Sequence, residues 1–211
     1  MNIFRNVKRN LEARRGRFLA KKLYRNDFSI ISDNCWGGFV YKYFDMTYNS
    51  PFVGLFIFSP DYIHMLQNLN FYLDSKLCFI DPSESKYKQE LINNGTFNSY
   101  PIALLGDGVE IHFLHYKNNK EALDKWSRRL SRLNRDNLVI KFCDRDLCTE
   151  MLINDFDSLS FKRKIVLSAK HYNVKSNLKL KGENADVINA EWESFLKTTS
   201  PLSFMNKLWR K

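Results

Sequence analysis

Apolar and polar positions change register several times along the chain, and each change predicts an element. Phe28-Ser29-Ile30-Ile31-Ser32 reads as a short buried strand. It breaks into Asp33-Asn34-Cys35-Trp36-Gly37-Gly38, after which a helix runs to Phe44. Phe52 to Phe58 is a second apolar run of strand type. Ser59-Pro60-Asp61 then opens a helix, with Ser59 as cap, Pro60 in the first turn and Ile63, Leu66, Leu69 and Leu73 as its apolar face. Lys76 to Ile80 forms a strand, and 81–99 reads as a polar loop. Tyr100 to Leu105 and Val109 to Tyr116 flank Gly106-Asp107-Gly108 as a hairpin.

Asn118 and Glu121 have the spacing of a helix cap pair, before a helix lined by Leu123, Trp126, Leu130 and Leu133. Leu138 to Cys143 is a strand, Leu147 to Leu159 a helix and Ile165 to Ser168 a strand. Residues 173–184 read as a polar connector. Val187, Ile188, Trp192, Phe195 and Leu196 pattern a further helix, and Ser200-Pro201 starts a last one carrying Leu202, Met205, Leu208 and Trp209, then Lys207, Arg210 and Lys211. Strands alternating with helices predict an α/β fold: a three-layer sandwich with a mostly parallel, Rossmann-like sheet and a local hairpin. Three regions follow: a basic amphipathic helix over 1–25, an α/β core over 26–172, and a connector with C-terminal helices over 173–211 packed on the core.

Charge changes this picture at one place. Lys plus Arg exceed Asp plus Glu by 33 to 23, a net +10, and residues 1–25 alone hold nine cations and one acid, Glu12. Ile3, Phe4, Val7, Leu11, Phe18 and Leu19 recur there at helical spacing, with Arg5, Lys8, Arg9, Arg14, Arg15 and Arg17 mostly elsewhere. Such a helix suits an anionic membrane surface, or else packs on the domain with a solvated basic face. No nucleic-acid-binding module is recognisable. The longest apolar run, Phe52 to Phe58, is too short to span a bilayer. The basic start continues to Arg25, unlike a secretory leader. Cys35, Cys78, Cys143 and Cys148 have no metal spacing and read as reduced thiols of a cytoplasmic protein.

Ligands of open α/β sheets sit at the carboxyl ends of the strands. The pattern places Ser32, Asp33, Asn34, Cys35, Asp61, His115, Asp144 and Lys170 there. Trp36, Gly37 and Gly38 would open a helix whose free N–H groups hold an anion and lower the Cys35 pKa. Cys35, His115 and Asp144 are then candidates for nucleophile, base and orienter in acyl transfer. His112, three residues before His115, falls on the opposite face of a strand and shares a face with Glu110; it is a substrate-binding candidate, or else a hydrogen-bonded structural imidazole. Asp144-Arg145-Asp146 alternatively offers two carboxylates to a metal and a nucleotide diphosphate, as in glycosyl transfer. A non-catalytic assembly or binding protein is the third expectation.

One resemblance adds a pathway. Ile31-Ser32-Asp33-Asn34-Cys35-Trp36-Gly37-Gly38, Asn49 to Leu55, Tyr100-Pro101-Ile102, Glu110 to Tyr116, Trp126 to Arg129 and Asp144 to Cys148 together resemble the bacterial domain-of-unknown-function family numbered 1919. Members of that family carry exopolysaccharide or capsule biosynthesis labels. The resemblance thus implies a place in surface-polysaccharide assembly, and implies neither a reaction nor a particular catalytic residue. The leading expectation from the residues is a cytoplasmic transferase acting on a sugar or lipid-linked sugar near the inner membrane face, with acyl-coenzyme A as a candidate donor.

Overall fold

The computed structural model describes residues 2–184 and 186–210, with side chains from Val7 onward. The side chains of Ile3, Phe4 and Arg5, and Lys211, lie outside the described residues. In chain order the helices are α1 (Asn2–Ala20), α2 (Trp36–Tyr43), α3 (Ser59–Gln67), α4 (Leu69–Asp74), α5 (Lys88–Asn93), α6 (Asn119–Leu130), α7 (Glu150–Ser158), α8 (Glu191–Thr198) and α9 (Pro201–Leu208). The strands are β1 (Ser29–Ser32), β2 (Leu77–Ile80), β3 (Ile102–Leu105), β4 (Val109–His112), β5 (Leu138–Cys143), β6 (Lys164–Ser168) and β7 (Asn177–Lys179).

Four strands form an all-parallel sheet in the order β1-β5-β6-β7. Ser32 stands opposite Lys141, and Phe142 opposite Val166, so the carboxyl ends of β1, β5 and β6 share one edge. Side chains alternate across this sheet. Ile31, Ile140, Phe142 and Val166 join one apolar core with Tyr62, Met65 and Leu66 of α3, Trp126 of α6 and Phe156 of α7. Ile30, Val139, Cys143 and Leu167 face the other core, with Trp36 and Val40 of α2, Phe195 of α8 and Phe204 and Met205 of α9. Helices on both faces of the sheet make the expected three layers. β2, β3 and β4 form a separate antiparallel sheet whose Ala103, Leu105, Val109 and Ile111 extend the first core. Gly106-Asp107-Gly108 is its hairpin turn, as the sequence predicts.

Four expectations are corrected. Phe52 to Phe58 is mostly buried but irregular, with a single β-bridge, between Phe56 and His112, among the described residues. Gly54 breaks the run at φ +78°, a conformation open mainly to glycine, where the chain passes close to His115. Ser59 is not the cap of α3. Phe58 holds that position, and the Ser59 hydroxyl donates to the Arg145 carbonyl across 2.7 Å. The loop over 81–99 contains α5. The connector over 173–184 contains β7, an edge strand whose polar composition hides it from a hydrophobicity pattern. By contrast, Ser200 caps α9 as expected, accepting from the Ser203 N–H at 3.1 Å.

Candidate functional site

The site grows from one residue that breaks the apolar pattern of β5. Lys141 lies on the inward face with Val139 and Cys143, and its side chain is fully buried. An isolated ammonium there would be prohibitively costly, so it must be paired. Lys141 Nζ meets Asp33 Oδ1 at 2.9 Å, forms an ion pair with Glu191 at the start of α8, and donates to Asn34 Oδ1 at 3.0 Å. Asn34 Nδ2 donates to Glu191 Oε2 at 2.8 Å, and Asp33 Oδ2 accepts the Cys143 N–H at 3.1 Å. This network ties the turn after β1, the end of β5 and the first turn of α8 into one charged floor.

Above the floor lies a cavity of about 530 Å³. Phe56, Phe58, Tyr100 and Trp192 supply aromatic walls, while Asn34, Cys35, Arg145, Asp146 and Glu191 supply polar ones. The Arg145 guanidinium has no hydrogen bond or ion pair among the described residues, unlike Lys141. Asp146 and Leu147 follow in succession at φ +53° and +68°. Left-handed backbone costs a non-glycine residue roughly 1–2 kcal/mol. Ser59 fastens the turn, its N–H on the Asp146 carbonyl at 2.9 Å and its hydroxyl on the Arg145 carbonyl. A second cavity, about 250 Å³, is lined by Cys35, His115, Tyr116, Lys42, Lys125 and Arg129. Cys35 therefore lines both cavities.

The sequence-derived candidates divide accordingly. Cys35 and His115 both line the small cavity; Asn34, Cys35, Trp36 and Asp146 line the large one. Asp144 joins neither. Its carboxylate accepts the Ala169 N–H at 2.8 Å and the Ile188 N–H at 3.1 Å, so it secures the backbone after β6 and before α8 and does not orient His115. Asp144 is thus committed to backbone amides, while Asp146 lines the large cavity. Among the described residues, no cluster of three or more His, Cys, Asp or Glu side chains is arranged to hold a metal ion.

Ser32 is buried, donating to the Asn34 carbonyl at 2.6 Å. Asp61 is buried too, accepting from Tyr87 and the Glu110 N–H and pairing with Lys86. Lys170 is exposed beside Tyr172 and lines neither cavity. His112 is fully buried behind the aromatic wall, stacked on Phe56 at 4.6 Å, with Nε2 3.5 Å from Glu110.

The expected anion cradle at the start of α2 is also corrected. The Trp36 N–H bonds Asn34 Oδ1, the Gly37 N–H bonds Ser32 Oγ, and the Gly38 and Phe39 N–H groups bond the Cys35 carbonyl. Gly37 instead allows close packing, since a Cβ there would stand 3.0 Å from Ile30. Nor is Cys35 a lowered-pKa thiol. Burial, with Glu191 adding to it, pushes its pKa up to about 11. At neutral pH it is a thiol and needs a base to react.

A model of the family described as a domain of unknown function, DUF1919, matches residues 6–208. The chain belongs to the DUF1919 family. It is also similar to an uncharacterized protein of Haemophilus influenzae strain Rd, 38% identical over 176 residues, which cover 82% of this chain and 78% of that one.

In this DUF1919 chain, sequence reasoning missed Lys141, Glu191 and Arg145. A lysine inside Leu138-Val139-Ile140-Lys141-Phe142-Cys143 was visible as a break in an apolar strand. Two carboxylates around one buried ammonium leave an excess negative charge. Burial pushes the Asp33 carboxyl up to about 6, against the pull of Lys141 and with the push of Glu191. For Lys141, burial acts downward, but Asp33, Cys143 and Glu191 outweigh it and hold the ammonium above the ordinary lysine range. A folded-state pKa raised above the unfolded one contributes stability that is present at low pH and lost as pH rises through about 6. Asp33→Asn should remove that slope, which amounts to at most about 1.4 kcal/mol per pH unit between pH 4 and 6. Urea unfolding of both proteins across this range measures it; parallel pH profiles would refute the Asp33 assignment.

Proposed function

We propose that this DUF1919 chain is a transferase of surface-polysaccharide assembly that moves an acyl group onto a sugar through a thioester on Cys35. The observation that carries the reading is the position of Cys35, on the shared wall of two cavities of different chemistry. The larger combines aromatic faces with carboxylate, amide and guanidinium groups, a composition suited to a sugar's apolar faces and hydroxyls. The smaller holds His115 with Lys42, Lys125 and Arg129, a basic setting suited to an anionic acyl-coenzyme A.

The chemistry follows from those positions. His115 takes the Cys35 proton as the sulfur attacks the donor's thioester carbonyl, with Arg145 beside the developing oxyanion. The carbonyl re-forms, coenzyme A leaves as its thiolate, and His115 protonates it. A sugar hydroxyl in the larger cavity then attacks the acyl-Cys35, giving its proton to His115 and then to the departing Cys35 sulfur. A cytoplasmic setting at the inner membrane face would supply both the coenzyme A thioester and a lipid-linked sugar. Glycosyl transfer from a nucleotide sugar has less support, because Asp144 and Asp146 do not converge.

Ligand-dependent melting separates the two. Acetyl-coenzyme A is expected to raise the melting temperature, and uridine diphosphate glucose to leave it unchanged. Stabilisation by the nucleotide sugar alone would overturn the acyl-transfer reading in favour of its rival.

A further inference from the structure

α1 is joined to the body of the protein along one side of its last turns. Gly16 is its buried contact, so close to the turn after α2 that a Cβ would stand 2.8 Å from the Asp45 amide nitrogen. Arg17 pairs with Asp45, and Leu19 and Ala20 pack on the second core. At about 100° per residue, Val7, Leu11 and Phe18 fall within about 40° of one another, and Gly16 lies about 140–180° away from them. The three project outward, 52%, 60% and 59% exposed. By the same geometry Arg14 flanks this stripe on one side and Arg15 and Lys8 on the other, and Lys21 and Lys22 follow directly after the helix. Lys22 Nζ stands 4.5 Å from the centre of the Phe18 ring.

We infer that α1 docks on an anionic lipid bilayer, its Val7–Leu11–Phe18 stripe entering the headgroup–acyl boundary and its flanking cations meeting lipid phosphates. Packing on the domain accounts for the Gly16 side alone. A second copy of the chain is disfavoured by charge, since residues 1–25 carry nine cations against one acid and two such helices repel. A nucleic acid would use the cations and leave the apolar stripe in water. Apolar residues bordered on both sides by Lys and Arg match the interfacial helix that lies in the membrane plane. Among the described residues, no helix is long and apolar enough to cross a membrane. Glu12 and Arg15 line a depression with Phe39, Lys42 and Trp192, residues that also belong to the two cavities at Cys35. Docking by α1 therefore brings the site beside the lipid surface. The inference does not depend on the chemistry proposed for Cys35.

Vesicle co-sedimentation of the full chain tests it, with phosphatidylcholine vesicles against vesicles containing phosphatidylglycerol. Binding is expected to the anionic vesicles only and to weaken with salt. The double variant Leu11→Ser with Phe18→Ser, and the double variant Lys8→Glu with Arg14→Glu, should each lose tenfold or more in partitioning at unchanged melting temperature. Absence of binding by the unaltered chain would overturn the inference. So would undiminished binding of the serine variant, or a solution dimer that the serine variant dissociates.

Discussion

Lys141→Met is expected to destabilise the folded chain by roughly 3–5 kcal/mol, the usual cost of leaving a buried charge without its partner. The methionine fills a similar volume, so the loss is electrostatic. Asp33 and Glu191 remain, both buried, with no cation between them. Domain stabilities are of order 5–15 kcal/mol, so the variant sits near the limit of folding at neutral pH. Two further results follow from the same cause. Acidification should restore part of the loss, because protonation removes the uncompensated charges. Combining Lys141→Met with Asp33→Asn and Glu191→Gln should recover much of the remainder, since neutralising a whole buried network is far cheaper than breaking it. Urea unfolding followed by circular dichroism measures all three. A Lys141→Met protein as stable as the parent would show that the network is solvated and plays no structural part.

Cys35→Ala is expected to abolish sugar acylation, a fall of a thousandfold or more, with little change in melting temperature. The two halves of this expectation have different origins. Cys35 is half-buried, and its sulfur makes only a long contact, 3.9 Å, to the Leu55 carbonyl, so deleting it removes little packing. On the proposed mechanism its chemical role has no substitute, because the acyl group would pass through the sulfur. His115→Gln separates the base from the nucleophile. Without an imidazole to take the proton, the residual rate should climb with pH toward about 11, where burial has placed the ionisation of the Cys35 thiol. Acylation that proceeds normally in the alanine variant would end the assignment.

The layered fold was legible because parallel strands buried on both faces leave dense apolar runs. Phe28 to Ser32 and Leu138 to Cys143 announced β1 and β5, and the two glycines around Asp107 announced the β3–β4 hairpin. Phe52 to Phe58 carried the same composition without becoming a strand, because hydrophobicity reports burial while a left-handed Gly54 decides backbone direction. β7 went unseen for the opposite reason, being an edge strand of Asn177-Leu178-Lys179.

At the site, the placement of Asn34 and Cys35 at a strand end was readable from the break after Ser32. The orientation of each acidic side chain was not. Asp144 and Asp146 are two residues apart, yet one binds backbone amides and the other lines the large cavity. Pairing of Asp33 with Lys141, and of Lys141 with Glu191, joins positions far apart in the chain and leaves no local trace. The glycines after Trp36 suggested an anion cradle, but the same absence of a Cβ serves close packing on Ile30, and spacing alone does not distinguish the two uses.

On the proposed mechanism an acyl group rests on the Cys35 sulfur between two half-reactions. Mass spectrometry of the intact chain after exposure to acetyl-coenzyme A, with no sugar present, reads this directly. The expected result is one added acetyl group, mapped to the peptide containing Cys35, absent in Cys35→Ala and discharged when the sugar acceptor is supplied. An unmodified Cys35 in a preparation that nevertheless acylates sugar would rule out the thioester.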